Sequence, residues 1–380
     1  MWVIQVVFWL ALGLIVYTMI GYPILALGLG AIVRRDVHKA PIEPSVSFII
    51  AAYNEEAVIG EKLRQTLALD YPRERLELIV ASDGSTDGTD EIVRSFAEQG
   101  VILYRGPGRQ GKTATLNGAV DSAGGEIVVF SDATGRYSSQ AIRELAAHFN
   151  DPSVGCVTGR VAYRYGDDVT SRGFRWYQRF AVGIRNAETR FGSQTSVSGS
   201  IHALRRELFR PGAPEHSADV VDAVNTVAQG RRVVYARQAV SYEQARSSVR
   251  DEYRCRVRIG VRNTAVTPYV LSRLMRSGAL GYLFQMISHK FLRWWLWLWL
   301  LTLAITNAVL VGQGTVYAVL AAAQGAFYCL ALGGLAAARY GVTVRFVSSM
   351  SFFVVANAAM CVGVFEWLRG RRMPRWEPVR

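Results

Sequence analysis

The hydrophobic pattern divides the chain into three zones. From Trp2 to Val33 no side chain is ionised, which exceeds the roughly 20 apolar residues a membrane-crossing helix needs. No basic segment precedes this run and no small-x-small site follows it, so it reads as a retained anchor rather than a signal peptide. Gly21-Tyr22-Pro23 is expected to kink or end the helix. Apolar runs at about 292–312, 315–337 and 346–367 predict about three further membrane helices. Trp294, Trp295, Trp297 and Trp299 stand at the start of the first of these, as an interfacial aromatic belt does.

Between these zones the pattern changes to short β-rich runs alternating with helical ones. Val46–Ala52, Leu76–Ala81, Val101–Tyr104 and Glu126–Phe130 read as strands. Helices are expected from Asn54-Glu55-Glu56 through Leu67, from the turn 82–89 to Phe96, and from Gly111-Lys112 to Val120. Such alternation predicts an α/β fold with a mostly parallel, doubly wound sheet. Ligands of such sheets bind at the carboxyl ends of strands, where Asn54, Asp83 and Asp132 all fall.

Composition narrows the class. Apolar residues make up 51% and charged residues 19%, so the chain has ample mass for a core and is not disordered. Cys156, Cys255, Cys329 and Cys361 are too few and too scattered for a disulfide scaffold or a metal site. The net charge of +13 comes from arginine, since Lys39, Lys62, Lys112 and Lys290 are the only lysines. No nucleic-acid-binding signature accompanies it, so the basic charge is assigned to membrane lipids and not to nucleic acid. Arg34, Arg35 and Lys39 follow the first helix directly. The positive-inside rule then sets the central domain in the cytoplasm, as in a multi-pass protein of the cell inner membrane. Three C-terminal helices would leave the tail Arg369-Gly370-Arg371-Arg372 outside, against that rule. Either the last run is re-entrant or the rule is overridden.

Single motifs have plain alternatives. Asp83 and Asp87 suit helix capping beside Ser85 and Thr86. Gly111-Lys112-Thr113 lacks the Walker spacing of a phosphate loop. Asp132 suits a strand-end turn. The order of all of them behind a membrane anchor is harder to explain as capping and turns.

That order resembles the processive-type branch of glycosyltransferase family 2, which includes poly-N-acetylglucosamine, hyaluronan, cellulose and chitin-oligosaccharide synthases. The motifs are Ala52-Tyr53-Asn54-Glu55-Glu56, Ser82-Asp83-Gly84-Ser85-Thr86-Asp87-Gly88-Thr89, Gly111-Lys112 with Asn117, and Phe130-Ser131-Asp132-Ala133. Ser198-Gly199-Ser200, Ala203, Arg205-Arg206 and Asp219 before Gly230 complete the set. The resemblance covers Pro44 to about Arg262. It implies a GT-A fold, a UDP-sugar donor, a glycan or lipid-linked acceptor, and Mg²⁺ or Mn²⁺. Ala52, Tyr53, Glu55 and Asp83 would hold the nucleoside, and Lys112 and Asp132 the diphosphate, Asp132 through the metal. Ser198, Gly199, Ser200 and Arg258 would line the acceptor site. Asp219 would be the base that takes the acceptor proton, with Asp222, one helical turn on, as its rival. One carboxylate suffices for base work when the acceptor attacks directly and the anomeric centre inverts.

The pattern departs from the family in three places. Asp132-Ala133-Thr134 has Thr where the family's metal motif carries a second acid, and Ser82 stands where an Asp is common. The acceptor-stacking Gln-x-x-Arg-Trp signature is absent; at Cys255–Ile259 only Arg258 matches. Losing the Trp platform makes addition of one or a few sugars to a lipid-linked acceptor as plausible as long-chain synthesis. A non-catalytic membrane scaffold or transporter is the rival from another class.

Arg246, Arg250, Arg254, Arg258 and Arg262 recur every four residues and form one broad helical stripe. It reads either as a solvated surface near the membrane or as a set whose later members meet phosphates. Phe174, Trp176, Tyr177, Phe180, Val182, Ile184 and Phe191, mixed with arginines, suit an interfacial helix or a core-packing one with a basic outer face. His202, His216 and His289 are read as neither ligands nor catalysts. The expected organisation is an N-terminal helix at 1–33, a catalytic domain at 44–262, an interfacial segment at 263–290, membrane helices at 291–368 and a basic tail at 369–380.

Overall fold

A computed structural model describes residues 1–164, 170–244, 249–338, 340–342 and 344–375, with the side chains of all but 164, 170–179, 249 and 345. Its centre is one eight-stranded sheet: β1 (Val46–Ala52), β2 (Leu76–Ser82), β3 (Val101–Arg105), β4 (Ile127–Asp132), β5 (Arg136–Tyr137), β6 (Val154–Arg164), β7 (His202–Arg205) and β8 (Arg232–Gln244). The spatial order is β3-β2-β1-β4-β7-β6-β8-β5. β3, β2, β1 and β4 are mutually parallel, as the βα alternation predicts. The second half is mixed, because β7 runs antiparallel to both β4 and β6.

Alternation along β1 feeds two cores. Phe48, Ile50 and Ala52 pack with Ile59 and Leu63 of helix Glu56–Leu67 and with Ile142 and Leu145 of helix Ala141–Ala146. Ile49 and Ala51 face Leu116 and Ala119 of helix Lys112–Asp121 and Ala223 of helix Ala218–Ala228. All seven β1 residues are buried, as a strand covered on both faces requires. Register does the functional work here: Ala52 pairs with Ser82, and Ala51 with Asp132. The loops after β1, β2 and β4 therefore leave the sheet at one level.

Four helices are long and apolar enough to cross a membrane: Trp2–Ile32, Leu296–Gln313, Thr315–Ala338 and Phe346–Leu368. The structure adds detail to this reading. Gly21-Tyr22-Pro23 does not end the first helix, which passes through a π-turn at Tyr17–Gly21. There the Tyr22 N–H bonds Tyr17 O, and Pro23, which has no N–H to give, follows directly. The boundary drawn at 262/263 falls inside the continuous helix Val249–Arg276. The last apolar helix lies along that helix rather than apart from it: the Arg256 guanidinium sits 4.8 Å from the Phe352 ring, and a Cβ on Gly363 would come within 2.8 Å of Gly260 Cα. Residues beyond it return to the sheet domain, where Pro374 O accepts from Arg262 at 3.5 Å.

The described end of the long helix Thr170–Phe191 packs inward. Ile184, with Phe180 and Phe191, contacts Tyr22 and Ala26 of the first apolar helix, which is the core-packing alternative. Phe174, Trp176 and Tyr177 lie outside the described side chains.

Candidate active site

The loops after β1 and β2 are tied to each other. The Asp83 N–H donates to Ala52 O at 2.9 Å. Asn54 has φ +52°, a left-handed conformation that Asn tolerates better than most residues. Its N–H donates to Ser85 Oγ (3.2 Å) and its Oδ1 accepts from the Thr86 N–H (2.8 Å). The Glu55 N–H donates to Thr89 Oγ1 at 2.8 Å, and Glu55 is buried. Asp87 does cap, accepting from the Thr89 N–H at 3.1 Å. Asp83 does not. Its buried carboxylate accepts from the Gln110 N–H (2.8 Å), the Gly111 N–H (2.9 Å) and Thr115 Oγ1 (2.8 Å) across the cleft. Tyr53 lies under the Arg109 guanidinium, 4.0 Å from the ring centre.

Helix Lys112–Asp121 starts at this point and reaches the other two acidic segments. Lys112 Nζ pairs with Asp132 Oδ1 and also donates to Gly199 O at 3.4 Å. Thr113 Oγ1 donates to His216 O (3.1 Å), three residues before Asp219. Asp219 sits in the first turn of its helix, and its carbonyl accepts from the Val197 N–H at 3.0 Å, beside Ser198. The turn Ser198-Gly199-Ser200 is fixed by its backbone: the Ser198 N–H donates to Thr158 Oγ1 (2.8 Å) and the Tyr137 hydroxyl to Ser200 O (2.9 Å). Gly111 adopts φ +97°, and a Cβ there would collide with Pro374 O.

Asp222 is buried and faces the imidazole of His202, and burial raises its carboxyl above the usual range. Arg258 lies one turn before the site, with Nη2 3.9 Å from Cys255 Sγ. Arg262, also in the stripe, touches the cleft. It donates to Thr113 Oγ1 (2.8 Å) and to His216 O. Burial lowers its guanidinium to about 10, against the pull of Asp219. Lys290 is lowered to about 8 by burial and by Arg185, with Asp219 opposing, and donates to Ser196 Oγ at 2.7 Å. Arg246 lies outside the described residues. Beneath Asp132, Lys62 is buried in apolar and aromatic surroundings, 4.6 Å from the Tyr137 ring. It donates to Ser131 Oγ at 2.8 Å and to Gly135 O. Burial lowers its amine to about 7, opposed by Asp132 and Glu243.

Sequence reasoning missed Lys62 and Lys290, did not single Arg262 out from its stripe, and gave His202 no role. Among the described residues no three His, Cys, Asp or Glu side chains cluster as a metal cage. An ion of the Mg²⁺ type is commonly held by one or two carboxylates together with substrate phosphates, so a single carboxylate in the Asp132 position would suffice for one.

Residues 47–212 match the model of glycosyl transferase family 2. These residues, less than half of the chain, are similar to a family 2 glycosyltransferase domain. Over 166 residues it is 31% identical to the β-monoglucosyldiacylglycerol synthase of Synechocystis, covering 43% of this chain and 33% of that protein. Over 169 residues it is 28% identical to the poly-β-1,6-N-acetyl-D-glucosamine synthase of Staphylococcus aureus, covering 44% and 40%. The chain thus matches well under half the length of these curated relatives. A mannosyltransferase from Pyrobaculum calidifontis, solved with GDP-Man and Mn²⁺, superimposes with a TM-score of 0.67 at 23% identity. That likeness covers 96% of this chain and 100% of the other, and it shows that the GT-A fold and its flanking helices are shared. Asp219 and Arg262 lie beyond the stretch matched by the glycosyltransferase model.

Proposed function

We propose that the chain is a membrane-anchored, inverting glycosyltransferase that moves a sugar from a UDP-sugar to a glycan or glycolipid acceptor at the cytoplasmic face of the cell inner membrane. One observation carries this reading. The start of helix Lys112–Asp121 touches all three acidic segments: Asp83 through the Gly111 N–H, Asp132 through Lys112, and the Asp219 turn through Thr113. Acidic groups far apart in sequence meet at one mouth of the sheet, where α/β folds bind nucleotides.

Each group then has a task. Ala52, Tyr53, Glu55 and Asp83 frame the nucleoside. Lys112 supplies a positive charge beside the leaving diphosphate. Asp132 would hold Mg²⁺ or Mn²⁺, which when bound neutralises charge on that diphosphate. Asp219 accepts the acceptor hydroxyl proton as its oxygen bonds to the anomeric carbon. The C–O bond to the diphosphate breaks on the opposite side, and the electron pair leaves with UDP. Ser198, Gly199 and Ser200 flank the acceptor. Relatives named for a glycolipid and for a polysaccharide product support this acceptor class.

A second reading, single addition to a polyprenyl-phosphate or similar anionic lipid, is favoured by one feature. Arg262 and Lys290 are half-buried near Asp219, and among the described residues their hydrogen bonds go to hydroxyls and carbonyls. Half-buried cations of this kind call for an anion.

The test is nucleotide release by the purified full chain with Mn²⁺ or Mg²⁺, across UDP-sugars and GDP-mannose, followed by product mass. UDP release from a UDP-sugar is expected. Asp219→Asn should lower it by about 10²–10⁴-fold and keep nucleotide binding. Release from GDP-mannose alone would move the donor class. No turnover and no nucleotide binding would favour the scaffold or transporter.

A further inference from the structure

We propose that the cavity where the first apolar helix meets helix Thr170–Phe191 holds the headgroup of an anionic glycerophospholipid. This proposal is independent of sugar transfer and rests only on the first helix lying in a bilayer. The cavity has a volume of about 510 Å³, within the usual range for ligand pockets, and none of Asp83, Asp132 and Asp219 lines it.

Its walls differ in character. Leu27 and Ala31 form an apolar side, on a helix whose Ile24 and Ile32 are 64% and 82% exposed. Arg35, Lys39, Arg190 and Arg237 form the other side, against the single carboxylate of Asp36, for a net charge of +3. His148 on the wall adds no charge near neutral pH. Burial lowers its imidazole to about 4, and Lys39 adds to that. Among the described residues, none of the four cations has an ion-pair partner. A ligand that is apolar at one end and anionic at the other satisfies both walls.

The chain also sets the depth. Arg35 follows the helix end at Ile32 by three residues, which is headgroup level for a helix that has just left the hydrocarbon. The frame is built before any ligand arrives. Gly30 lies so close to the neighbouring helix that a Cβ would stand 2.7 Å from Ala187 Cα. The Arg35 N–H donates to Arg190 O at 2.9 Å, and Arg232 Nη2 donates to Arg35 O (2.8 Å) and Thr189 O (2.7 Å). Two cationic side chains are thereby presented from backbone that cannot drift apart. A free phosphate would use the cations and leave the apolar wall wet, whereas a phosphodiester on a diacylglycerol uses both.

The test is native mass spectrometry of the full chain in mild detergent, equilibrated with phosphatidylglycerol or phosphatidylcholine. Retention of phosphatidylglycerol should exceed phosphatidylcholine by roughly tenfold or more. Combined Arg35→Gln, Arg190→Gln and Arg237→Gln should abolish the preference. Ala31→Trp, which keeps every charge and fills the apolar side, should weaken retention while leaving the melting temperature near that of the unaltered chain. Equal retention of both lipids, or a preference that survives both variants, would overturn the site. If inorganic phosphate displaces phosphatidylglycerol at concentrations where it also raises the melting temperature equally, the site binds a free anion and the lipid assignment fails.

Discussion

His202 Nε2 lies 3.1 Å from Asp222 Oδ2, and both side chains are buried. On the other side of the ring, Nδ1 is 2.8 Å from Ser198 O, which only accepts, so Nδ1 carries a hydrogen. A proton therefore stands between Nε2 and Oδ2 whether the pair is imidazolium and carboxylate or imidazole and carboxylic acid. The ring is further held by stacking on Phe130 at 4.8 Å. Asp222 is thus engaged in fixing the Ser198 turn from behind. Asp222→Asn should keep sugar transfer while Asp219→Asn loses it, and rates of the two variants under one donor check this. Asp222→Ala, which strands the imidazole, should cost about 1–3 kcal/mol in thermal or urea unfolding.

Lys62 predicts a pH dependence of stability. Its folded-state value of about 7 lies below the ordinary 10.5 because burial disfavours the ammonium. Between these values the unfolded chain binds more protons than the folded one. Stability contributed by this group therefore rises with pH from about 7 upward, by at most ~1.4 kcal/mol per unit, and is level below that. Lys62→Met should remove this slope, as read from unfolding midpoints at pH 7, 8 and 9.

The arginine stripe should divide in function. Arg262 bonds Thr113 and His216 in the cleft, while Arg250 and Arg254 are exposed. Arg262→Ala should lower kcat/KM by about tenfold or more, equivalent to ~1.4 kcal/mol. Arg250→Ala and Arg254→Ala should stay within about twofold, since exposed charges contribute little. Initial rates for the three variants decide it.

Membrane topology follows from parity. Arg262 and Pro374 both reach the sheet domain, so the chain between them crosses a bilayer an even number of times. No more than two of the three C-terminal apolar helices should then cross, and Arg345–Leu368, packed along Val249–Arg276, is expected to be the one that does not. Two crossings match the re-entrant alternative for the last run and would put the basic tail on the catalytic side, as its charge favours. Reporters at the two ends of the chain should fall on opposite faces; the same face for both would refute this arrangement.

The parallel half of the fold was legible because its elements carry local signals. β1, β2 and β4 are short apolar runs ending in Asn54, Asp83 and Asp132, and Gly111-Lys112 opens a helix as its pattern suggests. The other half carried no such signal. β6 pairs with β8 across nearly eighty residues with two register shifts, and β7 is four residues ending in Arg205. Side chains defined by tertiary contact were also hidden. Lys62 sits in a helix whose pattern makes any lysine look solvent-facing, and only the overlying Asp132 and Tyr137 reveal its burial. The period of four treats five arginines alike, whereas the fold brings Arg262 against Thr113 and His216. His202 was read as neither ligand nor catalyst, and its partner lies twenty positions away.

The glycine seam between Gly260 and Gly363 joins lipid-facing and cleft-facing structure without an intervening loop. Arg262 is two residues from that seam, on the same rigid rod. A tilt of the last apolar helix would therefore reach the Arg262 guanidinium as a displacement of backbone, with no loop in between to absorb it.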